Sequence, residues 1–421
     1  MGEARFNRFL EALDEEPPVS IRLNPLKTPR SRGQVHDLSK GEDQATCPLD
    51  SRRGENQATC PLDSREVPWC KEGFYLEERP QFTFDPLFHA GCYYVQEASS
   101  MFISHVLKTI IQHPSPNTQH PTPISVLDLC AAPGGKSTAI RSLLPEDSLL
   151  VSNEPIPTRA QILLENITKW GWPNCIVTNN YPRDFRKAKL KFDLIVCDVP
   201  CSGEGMFRKD PNAIREWSLQ NVEKCWRLQR EIVADAWECL NPGGIIIYST
   251  CTYNIKENEE NVRWIQQTYD AEILSVPTLP EWNITGSLLE GFDAPVYRFI
   301  PGFTRGEGLF MAALRKRGVR SEECGVRNVK RITQGLKVIS LLTPPSTLHV
   351  ELSYPEALRY LRGEALTLPA DTPRGIVTVT YRGIPLGPAK NIGNRANNLY
   401  PKPWRIKTTH LPTEAPQILG L

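Results

Sequence analysis

Between about residues 76 and 317 the chain alternates short apolar runs with helical patterns, and this alternation limits the fold more than any other feature. The runs ISVLDLC (124–130), SLLVSNE (148–154), NCIVTNN (174–180), KFDLIVCDVP (191–200) and GGIIIYSTC (243–251) are aliphatic and β-branched, as strands are. Between them, PTRAQILLENITKWG (157–171) sets Ile162, Leu163, Ile167 and Trp170 on one stripe. The amphipathic stretch LQNVEKCWRLQREIVADAWECLNPGG (219–244) reads as one long helix ended by Asn-Pro-Gly-Gly. Strand and helix in alternation predict an α/β domain built on a doubly wound parallel sheet. Ligands of such sheets sit at the carboxyl ends of the strands, so the turns that follow the runs are where chemistry is expected.

The first of these turns, DLCAAPGGKST (128–138), ends in Gly-Lys-Ser like a phosphate-binding loop. That loop also requires a glycine five positions before Gly135, and the residue there is Cys130. The GxGxxG dinucleotide fingerprint is missing too. What remains is a turn stiffened by Pro133, in which Gly134 and Gly135 leave room for a ligand and the N–H groups opening the next helix can receive a carboxylate. Glu154, at the end of the second run, stands where acidic residues accept from a ribose diol. A nucleoside with a modest anionic tail fits this set, and S-adenosylmethionine has that shape; a dehydrogenase site or a purely structural turn would use the same parts. Two cysteine turns narrow the choice. CDVPCSGEGMFRKDP (197–211) and STCTYNIKENEE (249–260) each follow a strand run, which puts Cys201 and Cys251 at the rim of one pocket.

The rest of the chain bounds this reading. At 421 residues and 40% hydrophobic content it can bury two or three domain cores. It has no apolar run of about twenty residues. The start, MGEARFNRFLEALDEE, has no apolar signal region, and Phe6 breaks a myristoylation pattern, so a soluble cytoplasmic protein without membrane attachment is expected. Twelve scattered cysteines without any C-x-x-C pair point to reduced thiols and no metal. The net charge is only +1, but residues 311–421 hold 17 Lys/Arg against 7 Asp/Glu, either a solvated face or a nucleic-acid surface. GEDQATCPLDSRR (41–53) is repeated almost unchanged as GENQATCPLDSRE (54–66), a polar tandem copy expected to be a disordered insertion in which duplication alone explains Cys47 and Cys60.

The blocks DLCAAPGGKST, DVPCSGEGMFRKDP and YSTCTYNIKENEENV, in this order, resemble the signature blocks of the Sun/nucleolar-protein family of RNA cytosine methyltransferases, particularly the bacterial RsmF-like ribosomal RNA enzymes. SIRLNPLK (20–27), YYVQEASSMF (93–102) and the tail from YLRGEALTL onward extend the likeness over nearly the whole chain except 41–66. The resemblance implies a Rossmann-like S-adenosylmethionine-dependent methyltransferase domain at 76–317, preceded by a small α+β RNA-binding segment at 1–75. A linker at 318–331 and a PUA-like, β-rich RNA-binding domain at 332–421 would follow. By the same resemblance Cys251 attacks carbon 6 of cytosine, Cys201 helps to release the product, Asp198 holds the cytosine edge and Lys136 stands beside the cofactor. Cys130, Ala131, Ala132, Pro133, Gly134, Gly135, Lys136, Glu154, Arg159 and Asp198 would bind S-adenosylmethionine, with Arg159 alternatively only bracing the loop. The expected partner is RNA, ribosomal RNA or the small ribosomal subunit, bound by a monomer.

Other readings stay open at this level. Cys201 would be the nucleophile if the chemistry followed the DNA cytosine enzymes. Cys130, Cys197, Cys225 and Cys239 also read as packing residues, and Glu257 and Glu259 as helix-capping or solvated groups. Tyr181 occupies the place of an aspartate that commonly holds the adenine amino group, leaving Asn180 or the Tyr181 ring as substitutes. A catalytically silent RNA-binding or ribosome-assembly factor, a transfer RNA substrate, and a small-molecule or protein methyltransferase are the competing functions.

Overall fold

A computed structural model of the protein describes residues 2–28, 66–111, 123–318, 329–341, 348–408 and 410–419. The tandem repeat, with Cys47 and Cys60, lies outside them except for its last residue, Glu66. A helix, Glu3–Leu13, precedes β1 (Val19–Leu23), and β2 (Glu66–Val67), β3 (Cys70–Leu76) and β4 (Tyr93–Val95) join it in a four-stranded sheet of order β2-β3-β1-β4.

Each of the five apolar runs forms a strand: β5 (Ser125–Asp128), β6 (Leu149–Asn153), β7 (Cys175–Thr178), β8 (Phe192–Asp198) and β9 (Leu240–Thr250). They are parallel, paired β7-β6-β5-β8-β9, and the later β10 (Glu272–Leu274), β11 (Tyr297–Phe299) and β12 (Leu309–Arg315) extend the sheet antiparallel beyond β9. β5 and β6 are buried along their whole length, as strands covered by helices on both faces must be. The chain runs outward from β5 to β7 and then returns to lay β8 on the other side of β5, so the strand order reverses between β5 and β8. A crevice opens at that point.

Three local expectations are corrected. Ala160, Leu163, Ile167 and Trp170 line the buried face of the helix Pro157–Trp170, whereas Ile162 is half exposed. The long helix stops at Glu238, and Asn241 to Gly244 belong to β9, because Gly243 donates its N–H to Lys316 and Gly244 accepts from it, stitching this stretch to the end of β12. Third, residues 332–341 do not open the C-terminal domain. They form the end of a helix, Val329–Gly335, whose Ile332 is buried in the core of the large sheet, and β13 (Val338–Leu341), which pairs antiparallel with β7 and so covers an otherwise open edge.

Two compact units result. One comprises Met1–Arg22, Val67–Gly73 and Tyr94–Pro345 and carries the large sheet; the other comprises Leu23–Glu66, Phe74–Tyr93 and Ser346–Leu421. The second holds β14 (His349–Glu351), β15 (Gly375–Tyr381), β16 (Ile384–Asn391) and β17 (Ala396–Asn398) in that spatial order, with only the β14-β15 pair parallel. Its helix Tyr354–Leu361 starts at a Ser353–Glu356 capping box and buries Ala357, Leu358, Tyr360 and Leu361.

Candidate active site

The carboxyl end of β5 leads into the glycine turn. Asp128 is its last strand residue; the Ala132–Pro133 peptide is cis, and Gly134, at φ 114°, turns the chain into the helix Gly135–Arg141. Only glycine takes this left-handed conformation at little cost, and a Cβ there would also press within 3.2 Å of Leu163. A cleft of about 180 Å³ opens beside the turn, lined by Asp128, Cys130, Ala131, Ala132, Pro133, Gly135, Lys136 and Asp198 on the sheet side and by Tyr94 to Glu97 and Ser100 on the other.

Of the expected cofactor residues, Gly134, Glu154 and Arg159 stand behind this lining. Arg159 donates to the Ala132 carbonyl at 2.9 Å and lies 3.6 Å from Glu154, so it braces the turn. Glu154 is buried, and its Oε1 accepts from the Ile156 N–H at 3.0 Å. The Asn180 amide accepts from the Lys337 N–H and donates to the Lys337 carbonyl, and Tyr181 is exposed with Arg183 over its ring.

Seven buried side-chain polar atoms have no hydrogen-bond partner among the described residues, and three of them stand in and behind this cleft: Asp128 Oδ1, Glu154 Oε2 and Gln96 Nε2. Two acceptors and a donor left unsatisfied in and behind one cleft are what a polar nucleoside ligand would complete, so the residues present fit S-adenosylmethionine. Burial pushes the Asp128 carboxyl up to about 7, against the hydrogen bond from Ser137. Arg22 fixes the donor: its Nε gives a 2.7 Å bond to Gln96 Oε1, leaving Nε2 free, while Nη2 reaches the Gly135 carbonyl and Thr138. Sequence reasoning gave no role to Arg22, Gln96 or Asp128, although all three lie within quoted blocks.

The cysteines come next. β8 and β9 run parallel with Asp198 opposite Ser249, so the turns after them leave the sheet side by side. Cys201 Sγ and Cys251 Sγ are 3.3 Å apart. Asp198 accepts from Lys136 at 2.8 Å on one oxygen and from Ser249 at 2.7 Å on the other. The hydrogen bond from Cys201 pulls the Cys251 thiol below its ordinary value, and the Lys136 ammonium adds to this against burial and the Asp198 carboxylate. The same bond, with burial, drives Cys201 well above. Burial pulls Lys136 down, but Asp198 outweighs it and the ammonium is raised on balance. A lowered thiol next to a raised one, beside a held carboxylate, equips the site for nucleophilic catalysis.

Residues 115–315 match the family profile of the 16S rRNA methyltransferases RsmB/F, residues 347–406 the RsmF PUA domain and residues 46–98 the N-terminal domain of RsmF. The ribosomal RNA small subunit methyltransferase F of Cronobacter sakazakii is 32% identical over 411 residues, covering 80% of this chain and 83% of that protein. The chain belongs to the RsmB/F family of 16S rRNA methyltransferases. A methyltransferase homologue from Pyrococcus horikoshii superposes on the chain with a TM-score of 0.55 at 26% identity, over 74% of this chain and 90% of that one. NSun6 from the same organism, solved with SFG, gives a TM-score of 0.54 at 20% identity, over 76% and 96%. These two show the Rossmann-like methyltransferase architecture, and the PUA match accounts for the β-rich C-terminal unit of this RsmB/F chain.

Proposed function

We propose that the chain methylates carbon 5 of a cytosine in small-subunit ribosomal RNA through an adduct on Cys251. RNA methylation with S-adenosylmethionine as methyl donor is the activity of its family, and the RsmF relative is a small-subunit ribosomal RNA enzyme by name. The pairing of two thiols at 3.3 Å beside Lys136–Asp198 carries the assignment of roles. Carbon 5 of cytosine is a poor nucleophile until a thiolate adds to carbon 6. Cys251, with the lowered thiol, is the group equipped to add. Its Sγ–carbon 6 bond makes carbon 5 electron-rich, the methyl group joins carbon 5, and loss of the carbon 5 proton with cleavage of the carbon–sulfur bond returns the Cys251 thiolate. Cys201 serves that last elimination. Asp198 still has open lone pairs on both oxygens for the exocyclic amine of the base, while Lys136 and Ser249 keep its carboxylate in place.

S-adenosylmethionine, when bound, supplies the electrophilic methyl group. Asp128, Gln96 and the 130–136 turn would hold it, with Glu154 as the acceptor behind. The C-terminal unit would add RNA contacts to the chain, which among its described residues has no helix long and apolar enough to cross a membrane. The test is transfer of radiolabel from S-adenosylmethionine to RNA, protein or small acceptors, followed by 5-methylcytosine sequencing of ribosomal RNA from cells with and without the gene. Label in protein alone, or unchanged ribosomal 5-methylcytosine in the absence of the gene, rejects the proposal.

A further inference from the structure

Each cysteine turn carries a buried glutamate, and each glutamate grips the other turn. Glu204, three residues after Cys201, accepts at Oε2 from the N–H groups of Tyr253 at 2.7 Å and Asn254 at 2.9 Å, and at Oε1 from Trp217 Nε1 and Asn254 Nδ2, both at 3.0 Å. Its neighbour Gly205 donates to the carbonyl of Cys251 itself at 2.7 Å. In the opposite direction Glu257, six residues after Cys251, accepts from the N–H of Ser202 at 3.0 Å, from Asn254 Nδ2 at 2.7 Å and from Gln229 Nε2 at 2.6 Å. Gln229 gives its second proton to the Pro200 carbonyl at 2.9 Å, so both chain neighbours of Cys201 are tied to one amide–carboxylate pair.

We infer that Glu204 and Glu257 are positioning residues, a reciprocal clamp that fixes the separation of the two sulfurs. The inference rests on the roles given to Cys201 and Cys251 above. Glu204 is 6% exposed and Glu257 is fully buried, and neither forms an ion pair among the described residues. A buried carboxylate without a cation is costly unless hydrogen bonds satisfy it, and most of the donors here come from the two turns themselves. The carboxylates are therefore stable only while the turns keep their relative position, and the turns keep it only while the carboxylates are there. The charge acts as well as the geometry: Glu257 adds to the effects that hold the Cys201 proton on, which keeps Cys201 the donor toward Cys251. The reading of Glu257 as a helix-capping or solvated group is thereby corrected.

The clamp is tested with Glu204→Asp and Glu257→Asp, which keep the charge and shorten the reach by one methylene. Asn254→Ala, which removes a shared donor at a half-buried position, is the milder variant should an Asp variant fail to fold; Glu260→Asp is the control. The first readout is the pH midpoint for iodoacetamide alkylation of Cys251, followed peptide by peptide in the full chain without RNA. The wild type is expected to react with a midpoint below the free-thiol value of about 8.5. In folded clamp variants the midpoint rises by about one pH unit, because loosened turns lose the Cys201 hydrogen bond. The second readout is RNA methylation, where kcat falls about tenfold or more with KM for RNA and Kd for S-adenosylmethionine within about twofold, the pattern of lost positioning. An ordinary wild-type midpoint, or folded variants with wild-type midpoint and kcat, overturns the clamp. A wild type that methylates no RNA refutes the proposed function alone, since the alkylation arm still decides the clamp.

Discussion

At the residue scale the two thiols are separable by experiment. Cys251→Ala removes the group that bonds to carbon 6 and should give neither methylated RNA nor an adduct. Cys201→Ala should still attack and transfer the methyl group but fail to eliminate, lowering multiple turnover on the order of 10²-fold or more and leaving a protein–RNA band on denaturing gels. An adduct from Cys251→Ala and none from Cys201→Ala would reverse the roles. Asp128 offers a stability test. Its carboxyl is raised to about 7 in the folded protein, so the native state binds the proton more readily than the unfolded chain, and stability falls as pH rises from the ordinary carboxylate range through 7. Asp128→Asn should therefore raise the melting temperature by several degrees at pH 8, leave it nearly unchanged at about pH 4, and weaken S-adenosylmethionine binding by calorimetry. Equal melting shifts at both pH values would show that Asp128 carries no buried charge. Cys201 and Cys251 were legible because each stands in a turn after an apolar run, where the sheet topology brings the two together, whereas Asp198, the last residue of β8, and Lys136, in the helix after the glycine turn, were legible through the motif blocks that carry the resemblance. Arg22, Glu204 and Glu257 were not, since nothing local in a sequence marks a carboxylate or guanidinium that tertiary structure will bury among donors.

At the scale of elements, the pairing of β8 with β9 brings the cysteine turns together, and at Gly205 their backbones meet in a hydrogen bond. A Cβ on residue 205 would lie 2.3 Å from the Cys251 carbonyl oxygen, a backbone atom that already accepts the Gly205 N–H. Gly205→Ala must displace one turn from the other, at a cost of roughly 1–3 kcal/mol as for overpacking generally. It should lower kcat by at least tenfold while S-adenosylmethionine binding, which depends on the β5 turn, stays within about twofold. Wild-type kcat in a folded Gly205→Ala protein would mean that the turns tolerate a shift that size. The strands themselves were legible because runs buried on both faces are apolar throughout. The end of the long helix was not: Asn-Pro-Gly-Gly stops helices, but here the partner strand β12 draws it into β9 through the Gly243 and Gly244 backbone. Ile162 shows the same limit, since periodicity gives a stripe but not which edge of it faces solvent.

At the scale of the whole molecule, charge is distributed differently from what the chain order implied. Residues 311–421 carry +10, but the segment Ser346–Leu421 holds nine Lys/Arg and five Asp/Glu, a net +4. The other +6 lies in 311–345, within the unit of the large sheet, because β13 returns the chain to β7 before the segment Ser346–Leu421 begins. If RNA binding is driven by this basic excess, 311–345 and Ser346–Leu421 both contribute, and Ser346–Leu421 supplies the smaller share. Each phosphate contact adds about 0.7 to 0.9 to the slope of log affinity against log salt. Replacing the exposed Lys390, Arg395 and Lys402 by glutamine should thus flatten the slope by no more than about three contacts' worth, weaken RNA binding on the order of tenfold at moderate salt, and leave S-adenosylmethionine affinity unchanged. Filter binding of ribosomal RNA across a salt series measures it. A slope identical to wild type would assign those side chains to solvated surface, and a slope reduced nearly to zero would place the entire RNA footprint on the C-terminal unit, against the division of charge.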